Sequence, residues 1–194
     1  MRTAILLTAA SLALAACNSK TDTPAGEATM AAEDIDSAAS PGAATGTSAE
    51  SALAGGDQQF VDTVASSDLF ELESAKLAQS KASSRAVKDF AAMMVADHTR
   101  STAELKKAAL GASPAVAVTP RMTVMQEADL DALRNASGDF DKLYVQKQLA
   151  AHETAKALLG DYSATAAAGP LRDFASRTVT VVSGHLDQAR KLPQ

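Results

Sequence analysis

At 194 residues the chain has room for one ordinary domain plus appendages, and its net charge of −5 offers no basic face for nucleic acid. Hydrophobic residues make up 46%, yet Ala supplies much of that, Trp is absent and aromatics are only 4%. This excludes a β-sandwich rich in Val, Ile, Tyr and Phe and favours helices packed closely through small side chains, while a single cysteine excludes any intrachain disulfide.

Residues 1–16, MRTAILLTAASLALAA, place Arg2 before an uninterrupted run of apolar and small residues, the order of a secretory signal and too short for a spanning helix. The ending Leu14-Ala15-Ala16-Cys17 resembles the bacterial lipobox. That resemblance implies cleavage before Cys17 and acylation of its thiol, so the cysteine carries lipid in place of a redox or metal role. Loss of Arg2 leaves 17 basic against 23 acidic residues, a mature charge of −6. Asn18 beside the lipidated cysteine resembles cargo sent on to an outer membrane. The expected location is therefore periplasm-facing, with the membrane as a partner through Cys17.

From Asn18 to Gly56 the sequence is Ser, Thr, Ala, Gly, Pro, Asp and Glu with almost no large apolar residue. Such a stretch buries too little surface to offset its ordering entropy, so residues 17–56 are expected to be lipid anchor and disordered tether, with no secondary structure.

The folded domain is expected over residues 57–194. A first helix from about Gln58 to Ser80 sets Phe60, Val61, Val64, Ala65, Leu72 and Ala75 on one face, with Asp68 at its centre and Glu71 on its flank. Lys81-Ala82-Ser83-Ser84 makes a short turn with Ser83 or Ser84 as N-cap, which forces the next helix to return antiparallel. That second helix, Ser84 to Leu110, aligns Val87, Ala91, Met94, His98, Ser101, Leu105 and Ala108 at alternating steps of three and four. Gly111, Pro114 and Pro120 end it.

A long crossing segment follows, with a short helix through Met122, Met125, Leu130 and Leu133. A third long helix, from about Asp139 to Leu159 or Tyr162, buries Phe140, Tyr144, Ala151, Ala155 and Leu158 and leaves His152 a quarter-turn off the apolar centre. The fourth begins at Pro170 and aligns Leu171, Phe174, Thr178, Val181, His185 and Leu192. Phe60 to Glu73-Ser-Ala-Lys is spaced like Phe140 to Glu153-Thr-Ala-Lys, and Lys88-Asp-Phe-Ala is echoed by Arg172-Asp-Phe-Ala. Two similar hairpins joined by a crossover make an all-α four-helix bundle with a short extra helix in the long crossover.

The segments Phe60-Val61, Glu71-Leu-Glu-Ser-Ala-Lys-Leu-Ala and Val87-Lys-Asp-Phe-Ala-Ala-Met-Met-Val-Ala-Asp-His98, followed by Phe140-Asp-Lys-Leu-Tyr144, His152 and His185, resemble a bacterial family of exported helical proteins known only as domain-of-unknown-function family 4142. The resemblance covers residues 57 to 192 and implies a ferritin-like bundle and an exported, often membrane-associated location. It implies no activity.

The chemistry rests on His98, His152 and His185, the only histidines, with Glu71 and Asp68 as carboxylates from the first helix. Imidazoles and carboxylates converging from facing helices build metal sites in bundles. A di-iron centre needs Glu-x-x-His pairs, but Val95, Leu149 and Val182 stand three residues before the histidines. Two readings remain. In one, Glu71, His98, His152 and His185 hold a single transition metal, Zn, Cu or Fe by ligand type. In the other, which the sequence favours, there is no metal, and His98 and His185 are interior histidines hydrogen-bonded to Glu71, Asp68, Tyr144 or Gln148. Counted from the turn near Ala82, His98 and Glu71 are offset by roughly 7 Å along the bundle, which weighs against a shared site. Glu73 and Glu153 are read as solvated partners of Lys76 and Lys156, and Met93-Met94 as core. No phosphate loop, nucleophile elbow or zinc-finger spacing is present. The expected function is a non-enzymatic, lipid-anchored envelope protein with an interaction or protective role, whose partner is another protein or a second copy of the chain. The alternative is a ferritin-like metal-binding protein with redox chemistry.

Overall fold

The computed structural model describes the backbone of residues 46–193 and the side chains of residues 56–193. The signal, Cys17 and most of the tether lie outside the described residues. Five helices occur among them: α1 (Gly46–Lys81), α2 (Arg85–Leu110), α3 (Val124–Asn135), α4 (Phe140–Thr165) and α5 (Pro170–Ala189). None is long and apolar enough to cross a membrane.

α1 starts well before Gln58 and runs through Gly55-Gly56. Each glycine costs a helix about 1 kcal/mol relative to Ala, but neither blocks a hydrogen bond as proline would, and the preceding Ala, Glu and Leu are good helix formers. Helix α1 thus takes in residues 46–56, a stretch expected from its composition to carry no secondary structure.

α1 and α2 form one antiparallel hairpin and α4 and α5 another. The hairpins close on each other through α1–α4 and α2–α5, giving the ring order α1, α2, α5, α4. Asp57 at one end of the bundle receives a hydrogen bond from Tyr162, whose ring stacks on Phe60 with centroids 3.7 Å apart. At the other end Ser83 and Ser84 bond Asp141. α1 and α4 are therefore antiparallel, and residues 111–139 must travel the length of the bundle between α2 and α4, carrying α3 on the way.

Ser84 is the N-cap residue of α2, as expected, but its side chain caps nothing. Asp141 reaches across from α4 to accept from the Ser83 N–H, the Ser83 hydroxyl and the Ser84 N–H at 3.0, 2.8 and 2.7 Å. α3 has a full capping box between Thr123 and Gln126. Gln126 Oε1 also accepts from Ser66 at 2.5 Å, Lys81 donates to the carbonyls of Leu133 and Arg134, and Leu130 and Leu133 pack inward. Met125, placed on the inner face by its spacing, is 79% exposed.

The apolar core is in two parts. Phe60, Val61, Val64, Leu105, Leu159, Leu171 and Phe174 fill the end near Asp57. Ala75, Ala78, Val87, Phe90, Met94, Leu133, Phe140 and Val145 fill the end near the α1–α2 turn. Between them lies a buried polar layer: Ser66, Asp68, Glu71 and Ser74 from α1, His98 from α2, Gln148 and His152 from α4, and His185 from α5.

Two inward faces differ from the sequence expectation. On α4 the buried stripe is Tyr144, Val145, Gln148, His152 and Leu159, while Ala151, Ala155 and Leu158 are only partly buried. On α5 Val182 is buried and Val181 exposed. The cause is the same in both: the inner face at mid-bundle is polar, so apolar periodicity points one residue away from it.

Candidate metal centre

All four long helices contribute to the polar layer. Asp68 and Glu71 are one turn apart on α1, Asp97 and His98 are neighbours on α2, Gln148 and His152 are one turn apart on α4, and His185 comes from α5. A ring nitrogen from each of His98, His152 and His185 lies within 4.8 Å of those from the other two. The ring centroids are 5.8 Å apart for His98 and His152, 5.7 Å for His98 and His185, and 5.4 Å for His152 and His185.

Each imidazole spends one nitrogen on an acceptor outside the triad. His98 Nδ1 donates to Asp68 Oδ1 at 2.8 Å, His152 Nδ1 to the Gln148 carbonyl at 2.9 Å, and His185 Nε2 to Asp97 Oδ2 at 3.0 Å. Thr102 donates to the second oxygen of Asp68 at 3.1 Å, and Arg100 lies 3.3 Å from Asp97. These acceptors fix the tautomers, leaving lone pairs on His98 Nε2, His152 Nε2 and His185 Nδ1. Those three nitrogens are buried and have no hydrogen-bond partner. An ion held at about 2.0–2.1 Å by three nitrogens needs them roughly 3.4 Å apart, within reach of small ring rotations.

Glu71 stands beside the triad rather than in it. Its Oε1 is 3.7 Å from His152 Nδ1, and neither oxygen has a hydrogen-bond partner. Burial pushes its carboxyl up to about 7 against the opposing pull of His98 and Gln148. Burial alone would lower His98, but its bond to Asp68 and the nearby Glu71 and Asp97 charges raise it overall. Burial and then His98 bring His152 down to about 4, and burial also lowers His185 despite its bond to Asp97. His152 and His185 are thus pushed toward the neutral form that ligates metals, whereas the acidic neighbours of His98 favour its charged form, which must lose the Nε2 proton before that nitrogen can ligate.

The structure brings together His98, His152 and His185, including the histidine that apolar spacing had set aside. The helix-level offset between His98 and Glu71 is real: Asp68 is the α1 residue level with His98, and Glu71 lies one turn nearer the α1–α2 turn. The expected hydrogen bond to Asp68 exists, but the Tyr144 hydroxyl has no partner, and His185 takes Asp97, a residue the sequence argument did not weigh. Its signal was its place immediately before His98. Glu73 pairs with Lys76 at 2.7 Å as expected, whereas Glu153 lies 3.4 Å from Arg190 rather than meeting Lys156.

Among solved structures, CopM in the Cu(I)-bound form is similar, with a TM-score of 0.59 and 19% identity, over 70% of this chain and 93% of that one. It is a likeness of fold. No curated protein matches. The family model described as domain of unknown function DUF4142 matches residues 42–192, and the chain belongs to that family.

Proposed function

We propose that this protein binds one transition-metal ion through His98 Nε2, His152 Nε2 and His185 Nδ1, and that it does so as a lipid-anchored envelope protein with a protective, metal-sequestering role. The observation that carries the reading is the set of three buried, unpartnered ring nitrogens in a triad whose opposite nitrogens are all committed to acceptors. A purely structural histidine cluster accounts for one nitrogen of each ring and leaves three buried acceptors unsatisfied, a costly arrangement. Outer acceptors on every ligating imidazole are how proteins orient such ligands and raise their basicity.

Three carboxylates surround the triad: Asp68, Asp97 and Glu71. Their charge suits a divalent ion, and neutral imidazoles suit copper or zinc. The name of the CopM structure makes copper the first metal to test. Nothing in the triad supplies a Glu-x-x-His pair, so this reading is a mononuclear binding site without di-iron chemistry.

Metal analysis of protein purified without chelator tests it. Stoichiometric copper or zinc, lost in His98→Ala, is the expected result; a folded chain that takes up neither metal overturns the reading. The location is tested separately. Cys17→Ala should release the protein from membranes, and acyl groups should appear on wild-type Cys17 by mass spectrometry. A Cys17→Ala chain that still partitions into membranes, with no acyl group on the wild type, overturns the anchor.

A further inference from the structure

The three free ring nitrogens of the triad have no exposed surface, so an ion reaches them only when part of the polar layer moves. We infer that the ion enters and leaves through the α2–α5 seam, with His185 as the ligand that swings outward and its hydrogen bond to Asp97 as the latch. This rests on the metal reading above and adds how that site is filled and emptied.

The three histidines differ in what holds them. His152 Nδ1 bonds the Gln148 carbonyl one turn back on its own helix, and the residue is 1% exposed, so no side chain at the surface controls it. His98 is held by Asp68, whose side chain is 5% exposed and whose second oxygen is fixed by Thr102. The acceptor of His185 is different. The Asp97 side chain is 21% exposed, the most open of the three carboxylates around the triad. Water can take over from Asp97 as partner of His185 Nε2, which makes this bond the easiest of the three to break, because a group that regains a partner escapes the penalty of being left unsatisfied. Arg100, 3.3 Å from Asp97, is an exposed partner that adds little restraint.

The seam around the latch has room for the swing. Asp97 and Ser101 of α2 and Thr178, Val181 and His185 of α5 are part of the wall of a cavity of about 850 Å³ between the two hairpins. Val181, one turn before His185, is 48% exposed, and a Cβ on the neighbouring Gly184 would meet nothing within 4 Å. Rotation of His185 about its Cα–Cβ bond moves Nδ1 from the triad toward the seam, where an ion from solvent meets it first. Return of the ring brings the ion to His98 Nε2 and His152 Nε2, and re-formation of the Asp97 bond closes the layer.

Uptake of cobalt(II) by the metal-free protein, followed by visible absorption, and chelator-driven loss from the loaded protein test the inference. Wild-type uptake should level off as cobalt rises, because opening of the layer then sets the rate. Asp97→Ala removes the latch and should raise that plateau at least tenfold, whereas Asp68→Asn, which loosens His98, should speed loss without raising it. Val181→Trp fills the seam and should slow uptake and loss by a common factor of at least three, while Thr154→Trp, on the α4 side of the cavity, should change neither. A plateau in Asp97→Ala equal to that of the wild type shows that Asp97 only orients its histidine and overturns the latch. Rates untouched by Val181→Trp, or slowed as much by Thr154→Trp, overturn the seam. Wild-type uptake that stays proportional to cobalt up to millimolar concentration overturns the inference and leaves the metal site standing, whereas a chain that takes up no cobalt, copper or zinc overturns both.

Discussion

His98 and Asp68 meet across the α1–α2 seam with Nδ1 and Oδ1 2.8 Å apart and both side chains less than a tenth exposed. The bond leaves His98 Nε2 as the free nitrogen, and Thr102 holds the other carboxylate oxygen. Asp68→Asn keeps the shape but removes the charge and, with its amide free to flip, the assured acceptor. Copper affinity, measured by competition with a chromophoric chelator, should fall about 10–100-fold, as is typical when an outer partner of a ligating histidine is lost. An unchanged affinity would show that Asp68 does not orient the ligand.

Glu71 sets a pH dependence in the metal-free protein. Burial raises its carboxyl from 4.5 to about 7, so the folded chain holds a proton that the unfolded chain gives up. Its contribution to stability is fully present below pH 4.5 and is lost as pH rises through about 7. Glu71→Gln has no such proton. Urea melts of wild type and variant, subtracted from each other, should show the wild type losing on the order of 2–3 kcal/mol relative to the variant between pH 4.5 and 8. The histidines titrate in both proteins, so the subtraction isolates Glu71 to first order. A flat difference would mean that Glu71 is not desolvated in solution.

Asp141 joins the two hairpins at the start of α2. Slight burial pushes its carboxyl up, but hydrogen bonds from Ser83 and Ser84, helped by Lys88, hold it below its ordinary 3.8. Asp141→Ala should cost about 1–2 kcal/mol at pH 7, the usual effect of losing a helix cap that accepts from backbone N–H groups. Because a lowered carboxyl stabilises above its unfolded value, wild type and variant should converge as pH falls below 3.8. Guanidinium or urea melts at pH 7 and pH 3 would reveal it; a constant gap would assign the loss to packing instead of the charged cap.

The α1–α2 and α4–α5 hairpins, the crossover and its short helix were legible in the sequence because their boundaries are written locally. Pro170, the breakers Pro114 and Pro120 and the four-residue turn before Arg85 need no tertiary knowledge. The site was less legible because the bundle is polar inside at mid-height. Apolar periodicity found His98 and His185, whose stripes stay apolar on either side. It missed His152, whose inward neighbours on α4 are Tyr144 and Gln148, and which reads as inward only when polar residues four apart count as a face. Asp97 was hidden for another reason. Its role is to hold a histidine on a different helix, 88 residues away, and no spacing within α2 encodes that.

The neighbours His152 and Glu153 give the sharpest test of that inner face. His152 is 1% exposed with a free Nε2 toward the triad, while Glu153 is exposed and lies 3.4 Å from Arg190. A ligand that binds only the folded state stabilises it by about 2.7 kcal/mol when free at 100 times its dissociation constant. For a domain of this size that raises the melting temperature on the order of 8 °C. Wild type and Glu153→Ala should both show the full rise with copper(II), since an exposed pair contributes only about 0–1 kcal/mol and touches no ligand. His152→Ala should show almost none, matching His98→Ala and His185→Ala. Differential scanning calorimetry with and without metal reads the result directly. If His152→Ala kept the rise while the other two lost it, the ion would sit between His98 and His185 alone and the three-histidine centre would be wrong.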